Sequence, residues 1–272
     1  MNISEALERV RSALFLPASN ARAVAKAQGL DCDMAILDLE DAVKPEDKLA
    51  ARLSAIAAIG GEWRAGIVAI RINGVGTLWH DDDIAALAKA PPALVVVPKV
   101  ERASEAGAVA AATGAPVLAM IETPLGVYAA REIAEAEGVA GLIAGTNDLA
   151  AELRLPAESG RGGLSLALQS IVLAARVAGR VAFDGVYNRL DDPDGLAAQC
   201  VEGRALGFDG KTLIHPAQIE ACNRFYGPGE AEIEEARALI EAATGGAERF
   251  RGRMIEAMHV AMARRLLDRA GQ

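Results

Sequence analysis

The sequence predicts one α/β domain, a (β/α)₈ TIM barrel, carrying a C-terminal helical extension. Two observations predict it. Eight short β-branched or Leu-rich runs alternate with Ala-rich stretches of helical period. A chain of 272 residues also suits one large α/β domain better than two ordinary ones. An open doubly wound sheet is the competing arrangement. No G-x-G-x-x-G follows the first run, which ends Pro17-Ala18-Ser19-Asn20, a poor dinucleotide cradle.

The runs lie at 13–17, 34–39, 67–72, 93–98, 116–121, 139–144, 181–186 and 211–214. Their continuous hydrophobicity suits parallel strands buried on both faces. Ser19, before a helix over 20–28, and Ser104 are helix starts; Gly29, Gly60 and Gly138 are stops. The unit after the sixth run is longer, with a loop at 155–163 and a helix over 164–178. Beyond the eighth run come an amphipathic helix over 230–243, a Thr244-Gly245-Gly246 hinge and a last helix over 254–270. The expected division is a catalytic barrel at 1–226 and an extension at 227–272 that caps the barrel or reaches a neighbouring subunit.

Hydrophobic residues are 52% of the chain and aromatics only 4%, so the core is built from Ala, Val, Leu and Ile. No apolar run approaches the roughly 20 residues that cross a bilayer, and residues 1–10 do not read as a signal peptide. The expectation is a soluble, cytoplasmic protein. Cys32, Cys200 and Cys222 are widely spaced and form no zinc or CxxC pattern, so they read as reduced, buried thiols. The net charge of −9 argues against a nucleic-acid surface. It leaves room for an anionic substrate, because a few cations can converge at one pocket mouth.

The polar residues fall where the runs end. Asp38, Glu40 and Asp41 follow the second run, Arg71 and Asn73 the third, Lys99 the fourth and Glu122 the fifth. Asn147 and Asp148 lie after the sixth, Asp184 is on the seventh, and His215 follows the eighth. In a barrel all of these gather at the C-terminal face, where active sites of this fold are built. Glu122 and Asp148 follow adjacent strands, and two close carboxylates repel unless a proton or cation separates them. A hard cation such as Mg²⁺ suits them, with water and the oxygens of a keto or hydroxy acid completing its shell. Arg71 is placed to stabilise charge on a substrate oxygen.

Each residue also has a plainer reading. Asp148 could be a helix N-cap, and His215 could orient the turn that Pro216 begins. The Asp81-Asp82-Asp83 run reads as a solvated helix start favoured by the macrodipole.

The stretches RSALFLP at 11–17, ILDLEDAV at 36–43, RIN at 71–73 and VPKVE at 97–101 follow a known order. It continues with IETPLG at 121–126, GTNDL at 145–149, FDGVY at 183–187 and GFDGKTLIHP at 207–216. With them the chain resembles the citrate lyase β-subunit-like branch of the HpcH/HpaI aldolase superfamily. The resemblance implies a Mg²⁺-dependent barrel that assembles as a trimer or hexamer. It implies Glu122 and Asp148 as metal ligands and Arg71 as the catalytic group that polarises the substrate oxygen. Glu40 and Asp41 are implied to fix metal-bound waters, their alternative being to order the loop after the second strand. Arg22 and Lys99 are candidates for the phosphates of a CoA arm.

The implied reaction is a Claisen-type cleavage or condensation of a 3-hydroxyacyl-CoA such as malyl-CoA or citramalyl-CoA. CoA-ester lyases of this branch carry an acid Asp in a Met-Ile-Asp segment of the tail. Here that segment reads Met254-Ile255-Glu256, so Glu256 is the candidate, one methylene longer. Its plainer reading is a first-turn helix acid. Three other activities are weighed: a thioesterase on the same esters, a pyruvate-type aldolase, and a non-autonomous β subunit of a citrate lyase complex. Pro17–Ala21 lacks the His on which the aldolases rely.

Overall fold

The computed structural model describes residues 2–157 and 159–271. Eight parallel strands close into a barrel: β1 (Ser12–Pro17), β2 (Met34–Asp38), β3 (Ile67–Arg71), β4 (Leu94–Val97), β5 (Val117–Ile121), β6 (Val139–Ala144), β7 (Val181–Asp184) and β8 (Gly210–Leu213). Every predicted run is a strand. The ring closes where β8 pairs with β1, Lys211 opposite Ser12.

Helices α1 (Ile3–Leu7), α2 (Ala21–Ala27), α3 (Lys48–Ile59), α4 (His80–Leu87), α5 (Ala103–Thr113) and α6 (Pro124–Glu135) come first. The barrel layer continues with α7 (Thr146–Glu152), α8 (Ser165–Val177), α9 (Pro193–Leu206) and α10 (Ile219–Tyr226). The caps differ in detail from the sequence reading. Asn20, not Ser19, accepts from Ala23 N–H to start α2. At α5 the helix begins at Ala103, and Glu105 reaches back to the N–H groups of Glu101 and Arg102. The sequence reading did not anticipate α1, whose Leu7 plugs the N-terminal end of the barrel interior.

The strands sort their side chains with period two. Met34 and Ile36, Ile67 and Ala69, Leu94 and Val96, and Leu118 and Met120 pack inside the barrel. Leu37, Ile70, Val95 and Ile121 pack outward against the helices. Continuing the inward series by one step reaches Asp38 on β2, Arg71 on β3 and Glu122 after β5. The barrel's own pleat thus places these charges at its mouth. The three cysteines are free and buried.

The tail differs from expectation. Helix α11 (Glu230–Ala242) is followed by a hairpin, β9 (Glu248–Phe250) and β10 (Arg253–Ile255), and only then by α12 (Ala257–Arg269). Residues 254 and 255, expected to be helical, are strand. Arg251 and Gly252 turn the chain with φ of 45° and 85°, which ends one strand and starts the next. Phe250 and Ile255 pack with Leu239 and Ala263 in a small core of the tail's own. Arg269, at the end of α12, donates to the carbonyl of Asp209 just before β8. That contact ties the tail to the N-terminal face of the barrel, opposite the mouth. Among the described residues no helix is long and apolar enough to cross a membrane.

Candidate active site at the barrel mouth

The mouth holds a cavity of about 390 Å³, lined on its charged side by Asp38, Asp41, Arg71, Glu122 and Asp148. Phe15, Met120 and Ile214 supply apolar walls.

Arg71 is the most tightly held group. Its Nε and Nη2 donate to the two Asp38 oxygens, both at 2.6 Å, a bidentate fork that fixes the guanidinium plane. The guanidinium carbon also sits 4.8 Å from the centre of the Phe15 ring. Burial opposes its charge, but Asp38 and Glu40 outweigh that, and its pKa is raised. Arg71 Nη1 lies 2.9 Å from Glu40 Oε2 without hydrogen-bond alignment, so that oxygen is buried with no donor. Burial raises the Glu40 pKa, Arg71 opposes it, and Asp41 adds to it.

Glu122 is 4% exposed. Its Oε2 accepts from the backbone N–H of Lys99 at 3.0 Å. Lys99 turns with φ 50°, a left-handed conformation that costs a non-glycine residue of order 1 kcal/mol. That turn aims the amide at Glu122 while the side chain reaches over the site. Lys99 Nζ lies 3.3 Å from Glu40, 3.8 Å from Asp41 and 3.2 Å from Asp148. Its charge is spent on three carboxylates of the site, which leaves little for the CoA phosphate expected of it. Burial first, then the charges of Glu40 and Asp148, push the Glu122 carboxyl up to about 7 against the pull of Arg71.

Gly145 makes this packing possible. A Cβ there would lie 2.2 Å from Glu122 Cγ and 2.4 Å from Oε1, so only glycine lets Glu122 lie against the start of α7. Asp148 stands in the first turn of α7, and no side chain caps that helix. The N-cap reading of Asp148 is therefore overturned; it faces Lys99 and the cavity.

The donor set fits a hard divalent cation. Glu122 and Asp148 line one cavity, the Glu40 oxygen lacks a donor, and Glu122 is crowded by like charges. Among the described residues no three His, Cys, Asp or Glu groups form a complete shell. A pair of carboxylates with oxygen ligands from solvent and substrate is the Mg²⁺ pattern.

The structure thus brings together Glu40, Asp41, Arg71, Lys99, Glu122 and Asp148. It does not bring Arg22 or Glu256 to them. Arg22 is exposed in the first turn of α2, with no ion pair among the described residues. Glu256 is the exposed N-cap residue of α12, its N–H donating to His259 Nδ1 at 3.0 Å, and it does not line its own barrel's mouth. His215 takes the plainer role: its Nδ1 accepts from Ala217 N–H.

Sequence reasoning missed the partners that hold the rim. In the sequence Asp38 reads as a polar strand end, whereas in the fold it anchors Arg71. Buried Lys48 donates to the carbonyls of Leu39 and Glu40 and to Asn73 Oδ1, at 2.6–2.8 Å. Asn73 in turn donates to Asp83, which pairs with Arg52 at 2.6 Å. Asp83 is fully buried, so of the Asp81–Asp83 run only Asp81 and Asp82 form a solvated helix start.

A family model described as HpcH/HpaI aldolase/citrate lyase matches residues 11–216. A second, for C–C bond lyases of the TIM-barrel fold, matches residues 166–272. A (3S)-malyl-CoA thioesterase of Cereibacter sphaeroides is 43% identical over 96% of this chain and 94% of its own length. The citrate lyase β subunit of Escherichia coli K12 is 33% identical, covering 96% of this chain and 93% of its own. Among solved structures, the CitE protein of Mycobacterium tuberculosis with magnesium, acetoacetate and coenzyme A superposes with a TM-score of 0.83. It is 32% identical and covers 96% of this chain and 98% of its own.

Proposed function

Because the chain belongs to the HpcH/HpaI aldolase/citrate lyase family, a family of carbon–carbon lyases, we propose that it acts on a malyl-type 3-hydroxyacyl-CoA and mainly hydrolyses the thioester. The observation that carries this reading is the mouth itself. Arg71 and the Glu122–Asp148 carboxylates face one cavity, while the tail acid Glu256 is absent from it. That mouth offers a pre-oriented guanidinium for an oxyanion, whereas the tail acid does not line it. The thioesterase relative, aligned over nearly its whole length, supports the same preference.

In this reading Glu122 and Asp148 hold Mg²⁺, as the relative crystallised with magnesium suggests. When bound, the cation supplies Lewis acidity and neutralises charge at the substrate's oxygens. Arg71, already oriented by Asp38, stabilises the oxyanion as water adds to the thioester carbonyl. The C–S bond then breaks, the sulfur leaves as the CoA thiolate and takes a proton, and the hydroxy acid gains the water oxygen. Glu40 and Asp41 orient water at the site's edge. Arg22, exposed on α2 beyond the cavity and without an ion pair among the described residues, is the candidate cation for a CoA phosphate.

Carbon–carbon cleavage to a keto acid and an acyl-CoA is the second reading. It is favoured by the lyase model's match across the tail that contains Glu256. That route needs the tail as a lid on a mouth other than its own, within a trimer or hexamer. Exposed Tyr128, Leu166, Leu173 and Val177 along a groove between α6 and α8 support self-association. Light scattering on a sizing column measures it.

Incubating the purified protein and Mg²⁺ with (3S)-malyl-CoA tests the reaction, with free thiol and keto acid read separately. Free CoA with intact malate is expected. Keto acid in equal yield to acyl-CoA overturns hydrolysis in favour of cleavage.

A further inference from the structure

The face opposite the mouth carries a feature that the reaction does not use. A pocket of about 550 Å³ opens between the barrel's N-terminal end and α12. Arg9, Arg176 and Arg180 line it from the barrel, and Arg265 and Arg269 from α12. Five guanidinium groups share this pocket with four carboxylates, Glu5, Glu8, Asp209 and Asp268, and the cations are in excess although the chain's net charge is −9.

The plain explanation is that cations collect at helix C-termini, which point toward this face. It accounts for Arg176, in the last turn of α8, whose donors reach the carbonyls of Arg180 and Gly207 and the Asp209 carboxylate at 2.6–2.9 Å. It accounts in part for Arg269, which donates to the Asp209 carbonyl. It does not account for the others. Arg9, Arg180 and Arg265 have no ion pair or side-chain hydrogen bond among the described residues. The Nε atoms of Arg180 and Arg269 are buried with no acceptor, a condition native structures avoid unless something else supplies one.

The pocket's carboxylates do not supply it. Asp209 is engaged by Arg176 and by Ala182 N–H. Glu5 accepts from Asn2 N–H. Glu8 and Asp268 lie in the lining and form no ion pair among the described residues. Burial also lowers the Arg269 pKa despite the nearby Asp209 charge, which is the condition of an under-compensated guanidinium.

We propose that this pocket is a second ligand site, for a multiply charged phosphate-ester or diphosphate anion held by Arg9, Arg180, Arg265 and Arg269. Guanidinium forks match phosphate oxygens geometrically, and the volume accommodates a diphosphate with an attached group. Because the cations come from both the barrel and α12, the bound anion fastens the tail to the barrel. The same helix carries Glu256 at its other end, so occupancy of the pocket fixes the position of that acid.

Inorganic pyrophosphate is the probe, titrated calorimetrically with a chelator present so that no divalent cation mediates binding. Wild type and the Glu122→Gln variant should bind it alike. Arg265→Gln, a change on the exposed side of α12, should weaken it at least tenfold, and Arg180→Gln likewise. Adenosine 3′,5′-bisphosphate forms a parallel arm: tighter binding than pyrophosphate, with the same losses, identifies a nucleotide as the natural ligand. Hydrogen exchange across 257–269 should slow on binding. No binding by wild type, loss in Glu122→Gln, equal binding in the arginine variants, or unchanged exchange in the tail each overturns the proposal.

Discussion

Asp38 and Arg71 face each other across neighbouring strands with two parallel hydrogen bonds of 2.6 Å, and the carboxylate is 1% exposed. An arginine clamped this way meets a developing oxyanion without reorganising. Arg71→Lys keeps the charge but loses the fork. It should lower kcat/KM by roughly a hundredfold or more with a near-native melting temperature. Asp38→Ala leaves a buried guanidinium short of its counter-ion, which costs about 3–5 kcal/mol. Kinetics of the first variant and urea unfolding of the second check the two outcomes.

Glu122 is a site whose charge works against the fold. Its carboxyl is pushed up from 4.5 to about 7, because it is buried and crowded by Glu40 and Asp148. A carboxyl with a raised folded-state pKa contributes stability that is complete below pH 4.5 and lost as pH rises through about 7. Glu122→Gln never ionises and escapes that loss. At pH 8 without metal the variant should be more stable than wild type by on the order of 3 kcal/mol, and the two should converge near pH 4.5. Turnover and Mg²⁺-induced stabilisation should vanish in the same variant. Thermal melts across pH, with and without Mg²⁺, measure both; a variant equal to wild type at pH 8 contradicts the assignment.

The legible part of this site was its position, and the illegible part was its wiring. Strand ends can be counted from hydrophobic runs, and that spacing together with the family motifs places Arg71, Glu122 and Asp148 at the mouth whose cavity they line. Asp38 was visible in the sequence, but its bond to Arg71 depends on parallel register, which sets Asp38 opposite Arg71. Period-two counting from Met34 and Ile36 could have marked it as inward. Lys48, Asn73 and Asp83 meet only through tertiary packing of α3 and α4 on two loops, and no local pattern announces that. The tail misreading has a local cause: 254–270 has helical character throughout, and the strand at Arg253–Ile255 exists only because Glu248–Phe250 pairs with it.

Gly145 tests the steric part of that wiring. Its φ of −89° is open to any residue, so Gly145→Ala carries no intrinsic backbone penalty. The added methyl instead meets Glu122 Cγ at 2.2 Å and must displace it by an ångström or more. Activity should fall about a hundredfold, while α7 and the barrel persist by circular dichroism. Retained activity would mean that Glu122 has slack at this position.

Lys211 and Asp184 form a fully buried pair at 3.0 Å, which Arg161 joins from the long loop after β6 at 2.5 Å. Tyr226 OH approaches the same carboxylate at 3.4 Å. Lys211→Met removes one cation and leaves Asp184 partly uncompensated, at a cost of about 3 kcal/mol. The loop should loosen with it, since its anchor Arg161 shares the weakened centre. Chemical unfolding and proteolytic nicking within 155–163 read the two effects. An intact loop in a destabilised variant would confine Lys211 to a purely internal role.

Glu256 is the residue on which the two proposed reactions differ. A lyase must hand a proton to the enolate carbon, and a thioesterase need not. The sequence puts a glutamate where the resembling lyases have aspartate, and the fold leaves it exposed at the N-cap of α12. Shortening it by one methylene moves the carboxyl by about an ångström, a displacement worth roughly a hundredfold where proton transfer is geometry-limited. Glu256→Asp should therefore raise the ratio of keto acid to free CoA by at least about tenfold, with total hydrolysis little changed. Glu256→Ala should lower the same ratio. If both variants give the wild-type ratio, the residue serves only to begin its helix, and any cleavage must draw its acid from another group.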